Sequence, residues 1–278
     1  MTRVLVNGIA TELLSVYDRA VNYGDGVFET IAVSGRQLHY WQAHFQRLTQ
    51  GCQRLSITAP AETALLADIA KLSFPDAPSV LKIVLTRGQG RRGYATTGDE
   101  QPAVILSLSN WPEFVSSYQQ QGIHLRLCQH RLIINPVLAG IKHLNRLDQV
   151  MARNEWHNEQ IQEGLMLDQH GYLLEGISTN LFVMMDNQWF TAAASECAVA
   201  GIMRNAIISI SARIGIPIEE RKIHQSELSS VQQMMVCNSI WGLVPVISCD
   251  QYRFQTGDIC SRLQSEIEKD KTTVSYEL

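Results

Sequence analysis

Lys142 lies in the run Ala139-Gly-Ile-Lys142-His-Leu-Asn-Arg-Leu, and Glu175 follows in Leu174-Glu175-Gly-Ile-Ser-Thr-Asn180-Leu-Phe. A lysine turned toward a protein interior is costly unless its charge is paired or its pKa is lowered. A lysine tuned in that way is a base and a former of Schiff bases. A carboxylate further along the chain can keep the ring nitrogen of a pyridoxal phosphate protonated, which turns that ring into an electron sink. The plain alternative is a lysine stretched along a loop with its ammonium in water. Spacing alone leaves both readings open.

Four further patterns bear on anion binding. His44-Phe-Gln-Arg47 puts two polar side chains one turn apart on a helix, either a site or a solvated face. Gly201-Ile202-Met203-Arg204 opens a helical stretch, whose first backbone N–H groups can receive an anion; an ordinary glycine before a helix is the alternative. Asn238-Ser239 ends an apolar strand, where it either donates to a phosphate or caps a turn. Gly88-Gln-Gly90-Arg-Arg-Gly93 has the letters of a dinucleotide fingerprint, but no helix pattern opens after it. Tyr94, a polar stretch and another strand follow instead. That segment reads as a loop between antiparallel strands carrying Arg87, Arg91 and Arg92, and planar guanidinium groups suit carboxylates. A solvated surface loop is the other reading.

These residues need a scaffold of some size. At 278 residues, 45% apolar and 18% charged, the chain suits two packed domains. Its net charge of −4 gives no basic field for nucleic acid. The start, Met1-Thr-Arg-Val-Leu-Val-Asn-Gly, lacks the form of a signal peptide, and no apolar stretch is long enough to cross a bilayer. Cys52, Cys128, Cys197, Cys237, Cys249 and Cys260 form no Cys-x-x-Cys pair, so free buried thiols in a reducing cytoplasm are expected and no metal site is.

The periodicities predict an α/β (α+β) protein. Asp18 to Gly26 is a turn cluster leading into a strand at Val27–Val33 and a hairpin at Ser34-Gly35. Helices are expected over about 39–55, with Phe45, Leu48, Cys52 and Leu55 as its stripe, and over 61–72; strands are expected at 80–86 and 103–108. The polar stretch 113–121 is read as a linker between domains 1–112 and 122–278. In the second domain, strands are expected at 123–128, 163–167, 181–185, 189–191, 234–237 and 244–247. Helices are expected at 145–157, with Leu147, Val150 and Met151 on one side, and at 203–214.

The ordered set Tyr23-Gly-Asp-Gly-Val-Phe-Glu29, His44-x-x-Arg47-Leu, Lys142-His-Leu-Asn145, Glu175-Gly-x-x-x-Asn180-Leu-Phe and Gly201-Ile-x-Arg204 resembles the branched-chain aminotransferase-like (fold type IV) pyridoxal phosphate enzymes along nearly the whole chain. Within that superfamily, the runs Arg87–Tyr94, Leu138–Leu147 and Cys237–Val246 are similar to the 4-amino-4-deoxychorismate lyase branch. The resemblance implies two α/β domains with pyridoxal 5'-phosphate in the cleft between them, and a homodimer. It implies that Lys142 is the Schiff-base lysine and Glu175 the partner of the ring nitrogen. Arg47, the backbone of Ile202 and Met203, and Ser239 would hold the phosphate, with Asn180 also near the cofactor. Many aminotransferases of this fold carry a tyrosine where Arg146 stands, so Arg146 is assigned to the cofactor only through the lyase branch. The implied small-molecule substrate is aminodeoxychorismate, split into 4-aminobenzoate and pyruvate on the way to folate. Arg87, Arg92, Tyr94 and Asn238 are the candidate substrate contacts. A D-amino acid or branched-chain aminotransferase of the same fold is the alternative.

Overall fold

The β-formers after the first turn cluster become the strand Gly26–Ser34, which turns through Gly35 into Gln37–Leu38 with Val33 opposite Leu38. The computed structural model describes residues 2–133, 135–193 and 199–278, so Cys197 lies outside the described residues. The chain divides into two units. One comprises Met1–Pro112, Ile141–Asn145 and Lys271–Leu278; the other comprises Glu113–Gly140 and Arg146–Asp270.

Among its described residues the first unit carries an antiparallel sheet of six strands. Their order is Val4–Val6, Ala103–Asn110, Ser79–Thr86, Gly26–Ser34, Gln37–Leu38 and Tyr276–Glu277. The helix Trp41–Arg54 packs on Gly26–Ser34. Its buried side chains are Trp41, His44, Leu48 and Cys52, spaced three and four apart, while Phe45 and Leu55 are only half-buried. The buried stripe is therefore rotated from the expected one and takes in His44. The second helix is shorter than expected, Glu62–Ile69.

The second unit is built on a mixed sheet, nine strands among its described residues. Along it run Ile218–Glu220, Gln188–Thr191, Asn180–Met185, Gln233–Asn238, Gly242–Cys249, Ile123–Leu132, Glu163–Asp168 and Leu173–Gly176, with Tyr252–Arg253 paired to Gly242–Cys249. Glu163–Asp168 and Asn180–Met185 are buried at every position, as strands covered on both faces are. Leu165, Leu181, Val183, Val236 and Val244 lie in its main core.

Two expected elements differ. Residues 113–121 contain the helix Val115–Gln121 rather than an irregular linker. Val115 is buried and Tyr118 packs on the second unit's core, with Phe114 and Trp241 rings around it. Aromatic anchoring replaces the aliphatic period that would have marked a helix. The helix expected over 145–157 spans only Leu147–Arg153, and Leu147, Val150 and Met151 are exposed. Ala152 and Trp156 make the buried contacts there instead. Cys52, Cys128, Cys237, Cys249 and Cys260 are buried free thiols. Burial pushes the Cys52 and Cys237 thiols up to about 12, which leaves them protonated and unreactive at neutral pH. Among the described residues no helix is long and apolar enough to cross a membrane, and no cluster of side chains is suited to a metal.

Candidate active site

Within the first unit, residues 141–145 lie along the start of the strand Gly26–Ser34. Phe28 donates its N–H to the Lys142 carbonyl at 3.0 Å, Leu144 donates to the Gly26 carbonyl at 3.0 Å, and Val27 and His143 form an antiparallel bridge. Asn145 closes the segment with a bond from Nδ2 to the Gly24 carbonyl at 3.0 Å. The lysine is thus carried on backbone tied to a central strand, half-buried, with Nζ 4.3 Å from the centre of the Phe28 ring. A side chain stretched freely along a loop would have no such backbone pairing.

Beside it sits a buried charged group with a member the motifs did not single out for a role. Glu29, 1% exposed, accepts Arg47 Nε at 2.8 Å and Arg47 Nη2 at 2.5 Å, and lies 2.6 Å from His44 Nδ1. Burial pushes the Glu29 carboxyl up, but the Arg47 charge and hydrogen bonds, helped by His44, outweigh it and bring the pKa to about 2. Glu29 is therefore an anion that only accepts, so the His44 proton sits on Nδ1. Burial holds His44 below the usual imidazole range against the pull of Glu29, with the Arg47 and Lys142 charges acting the same way as burial. Its other nitrogen, Nε2, is buried without a hydrogen-bond partner. The pair His44 and Arg47 is not a solvated face. Glu29 takes two of the five N–H groups of Arg47 and fixes the plane of its guanidinium.

In the second unit Glu175 is buried on the strand Leu173–Gly176, opposite Met166. Its Oε2 accepts the Val199 N–H at 2.8 Å, and Asn180 Nδ2 donates to the Val199 carbonyl at 3.1 Å. Asn180 thus braces the backbone leading into Gly201. The close approach explains that glycine, since a Cβ there would lie 1.9 Å from Asn180 Oδ1. Gly201 is the N-cap of the helix Ile202–Arg213 and supplies no capping side chain. Ile202 and Met203 have buried side chains, so what they can offer an anion is their backbone N–H groups at the positive end of the helix dipole. The helix start is by itself a set of backbone donors suited to an anion such as a phosphate. A second buried carboxylate, Glu163, accepts Ser178 Oγ at 2.6 Å and the Gly164, Ile177 and Ser178 N–H groups, bracing the turn after Glu175.

The substrate candidates divide. Residues 87–102 join antiparallel neighbours in register Thr86 to Ala103, and no helix opens there, which disposes of a dinucleotide site. Arg92 and Tyr94 are exposed on this loop. Arg87 is not a free arm: Nε and Nη2 bond Asp25 at 2.8 and 3.1 Å, Nη2 also bonds the Leu55 carbonyl, and Nη1 the Ser56 carbonyl, both at 2.7 Å. Those bonds engage four of its five N–H groups in the fold, so a contact from Arg87 to substrate would draw on the one that remains. Asn238 is likewise engaged in the fold. Its Oδ1 accepts the Ile240 and Trp241 N–H groups at 2.9 and 2.7 Å, and Nδ2 donates to the Ser178 carbonyl at 3.3 Å. It caps the hairpin turn in which the half-buried Ser239 sits. Arg146 is the N-cap residue of Leu147–Arg153, its carbonyl accepting the Val150 N–H at 3.1 Å.

Residues 26–249 match the family model described as amino-transferase class IV. The aminodeoxychorismate lyase of Vibrio harveyi is 32% identical over 266 residues, covering 94% of this chain and 98% of that protein. The crystal structure of 4-amino-4-deoxychorismate lyase from Pseudomonas aeruginosa superposes with a TM-score of 0.89 at 39% identity, covering 96% of this chain and 98% of the other. The branched-chain amino acid aminotransferase of Escherichia coli gives a TM-score of 0.84 at 22% identity over 96% and 93%, a likeness of fold alone. The two-sheet α/β architecture is that of fold type IV. With the family match spanning most of its residues, this chain belongs to the class IV aminotransferase family.

Proposed function

We propose that this protein is a pyridoxal phosphate-dependent lyase that converts 4-amino-4-deoxychorismate to 4-aminobenzoate and pyruvate. The observation that carries the reading is likeness at 32% and 39% identity, over nearly the full length, to two proteins that bear the lyase name. The residues present fit the cofactor. Lys142 would hold it covalently, Glu175 would keep its ring nitrogen protonated, and Arg47 and the Ile202 and Met203 backbone would receive the phosphate. Ser239 would add a hydroxyl to that set, and Arg146 would be a further contact to the cofactor.

When bound, the cofactor supplies a sink for the electron pair left on the substrate carbon that bears nitrogen. Lys142 would then serve as the base that takes the proton from that carbon. The bond from the neighbouring carbon to the enolpyruvyl oxygen would then break, the oxygen leaving with the electron pair, and the departing enolate would take back the proton held by Lys142 to become pyruvate. The ring becomes aromatic, which makes the elimination strongly downhill. The protein therefore has chiefly to place the base and grip two carboxylates, and Arg92 and Tyr94 are our candidates for that grip. We also place the protein in solution as a homodimer, because Ile9, Leu13, Val16, Tyr17 and Val21 expose apolar side chains along one short stretch of the first unit. Sedimentation tests this, and a monomer at micromolar concentration contradicts it.

The deciding experiment supplies purified holoenzyme separately with aminodeoxychorismate and with D-alanine or leucine plus a keto acid acceptor. Formation of 4-aminobenzoate far faster than amino transfer supports the reading. The reverse ranking makes the protein an aminotransferase.

A further inference from the structure

The turn cluster Asp18 to Gly26 has a use that the reaction does not yet assign. Its short helix Arg19–Tyr23 is the seat of the glycine-rich loop. Arg19 N–H donates to the Gly88 carbonyl at 2.9 Å, and Asp18 forms an antiparallel bridge with Gln89. Asp18 accepts Thr86 Oγ1 at 2.8 Å, and Thr86 Oγ1 accepts the Gly88 N–H at 2.9 Å. Gly88 is tight against the loop's far end, where a Cβ would lie 1.8 Å from the Gln101 carbonyl oxygen.

Arg19 extends this seat to the residues that matter. Its side chain is 5% exposed, and Nε donates to Asp25 Oδ2 at 2.8 Å. Nη1 and Nη2 reach the Gly93 and Tyr94 carbonyls at 3.1 and 3.0 Å. Its guanidinium lies 4.9 Å from the Tyr23 ring centre, the Tyr23 hydroxyl accepts the Gly93 N–H at 3.2 Å, and the Tyr23 and Tyr94 rings are 5.3 Å apart. Asp25 is shared with Arg87, so one carboxylate serves two buried guanidinium groups. The remaining positive charge is met by backbone carbonyls: Leu55 and Ser56 for Arg87, Gly93 and Tyr94 for Arg19. A loop without ladder partners leaves its carbonyls to be satisfied elsewhere, and a fork-shaped cation satisfies two at once.

We propose that Arg19, locked by Asp25, is the positioning residue of this loop, holding the backbone from which Arg92 and Tyr94 project and thereby setting the grip on substrate carboxylates. The catalytic consequence rests on the proposed reading of the loop as the carboxylate-binding element; the seat itself does not.

Trypsin cleavage after Arg91 and Arg92 in the holoenzyme, followed by mass spectrometry, reports loop release independently of turnover. Arg19→Lys keeps the charge beside Asp25 but cannot span both carbonyls. We expect cleavage there to accelerate roughly tenfold, the ratio for losing one charge-assisted hydrogen bond. KM for aminodeoxychorismate should rise by a similar factor, with kcat within about twofold and cofactor absorbance unchanged. Tyr23→Phe removes only the acceptor for the Gly93 N–H and should give a smaller shift in the same direction, which keeps the test available if Arg19→Lys folds poorly. Unchanged cleavage in both variants overturns the seat. Faster cleavage with unchanged KM overturns the catalytic consequence and traces the failure to the reading of the loop rather than to Arg19.

Discussion

Phe28 meets Lys142 twice: its N–H donates to the Lys142 carbonyl at 3.0 Å, and its ring centre lies 4.3 Å from the Lys142 ammonium. The backbone bond fixes where the lysine leaves the chain, and the ring limits where its amine can go. Lys82, exposed and 5.5 Å from the same ring, is the natural competitor for any aldehyde that reaches this part of the first unit. Borohydride reduction of the holoenzyme should place the cofactor on the peptide containing Lys142. Lys142→Ala should abolish that adduct while the protein stays folded. Label on Lys82 or Lys222 contradicts the assignment.

Glu29 predicts a pH dependence of stability. Its folded pKa lies below its ordinary 4.5, at about 2, so its contribution is present above 4.5 and is lost as pH falls toward 2. His44 is also lowered, so the unfolded chain takes up its proton first and stability falls as pH drops below the ordinary imidazole value of 6.5. Both slopes have the same sign. The Glu29 part is on the order of 3 kcal/mol at neutral pH. Urea unfolding at pH 7, 5 and 3.5 should show a falling midpoint. Glu29→Gln should lower the pH 7 stability by about 3 kcal/mol, because Arg47 is left without its charged partner, and should flatten the acid slope. A wild-type midpoint flat from pH 7 to 3.5 contradicts this account.

The two arginines of the loop should separate. Arg92→Ala should raise KM for aminodeoxychorismate by the equivalent of about 2 kcal/mol with little change in melting temperature. Arg87→Ala should destabilise the protein, because Asp25 and the Leu55 and Ser56 carbonyls lose their donor. A KM effect from Arg87→Ala in a protein of unchanged stability would place Arg87 in the substrate site.

If Glu175 has its proposed role, Glu175→Gln should leave cofactor binding largely intact and lower turnover sharply, since it would remove a charge-assisted bond of about 1.5–3 kcal/mol to the ring nitrogen. Near-normal turnover would reduce Glu175 to holding the Val199 N–H.

Lys142, Glu175 and the Gly201 helix start were legible because their neighbours carry the pattern with them. Glu29 was written as an acid within a strand, and its burial follows only once Val27, Ile31 and Val33 are seen to share its face at a period of two. Arg19 looked like one more polar turn residue. Arg87 and Asn238 show the opposite case, structural contacts that the sequence does not display. Spare donors look the same in a sequence whether they meet a ligand or the protein's own carbonyls, and here they meet the carbonyls of Leu55, Ser56 and Ser178. The buried stripe of the C-terminal helix Asp258–Val274, Cys260, Leu263 and Ile267, is too thin amid charge to mark the helix in the sequence.

The most direct test follows both products from wild-type holoenzyme given aminodeoxychorismate as sole substrate, without a keto acid. The account predicts 4-aminobenzoate and pyruvate in equal amounts, through many turnovers, and loss of both in Lys142→Ala. Aminodeoxychorismate left intact, or consumed once per enzyme without pyruvate, would contradict it.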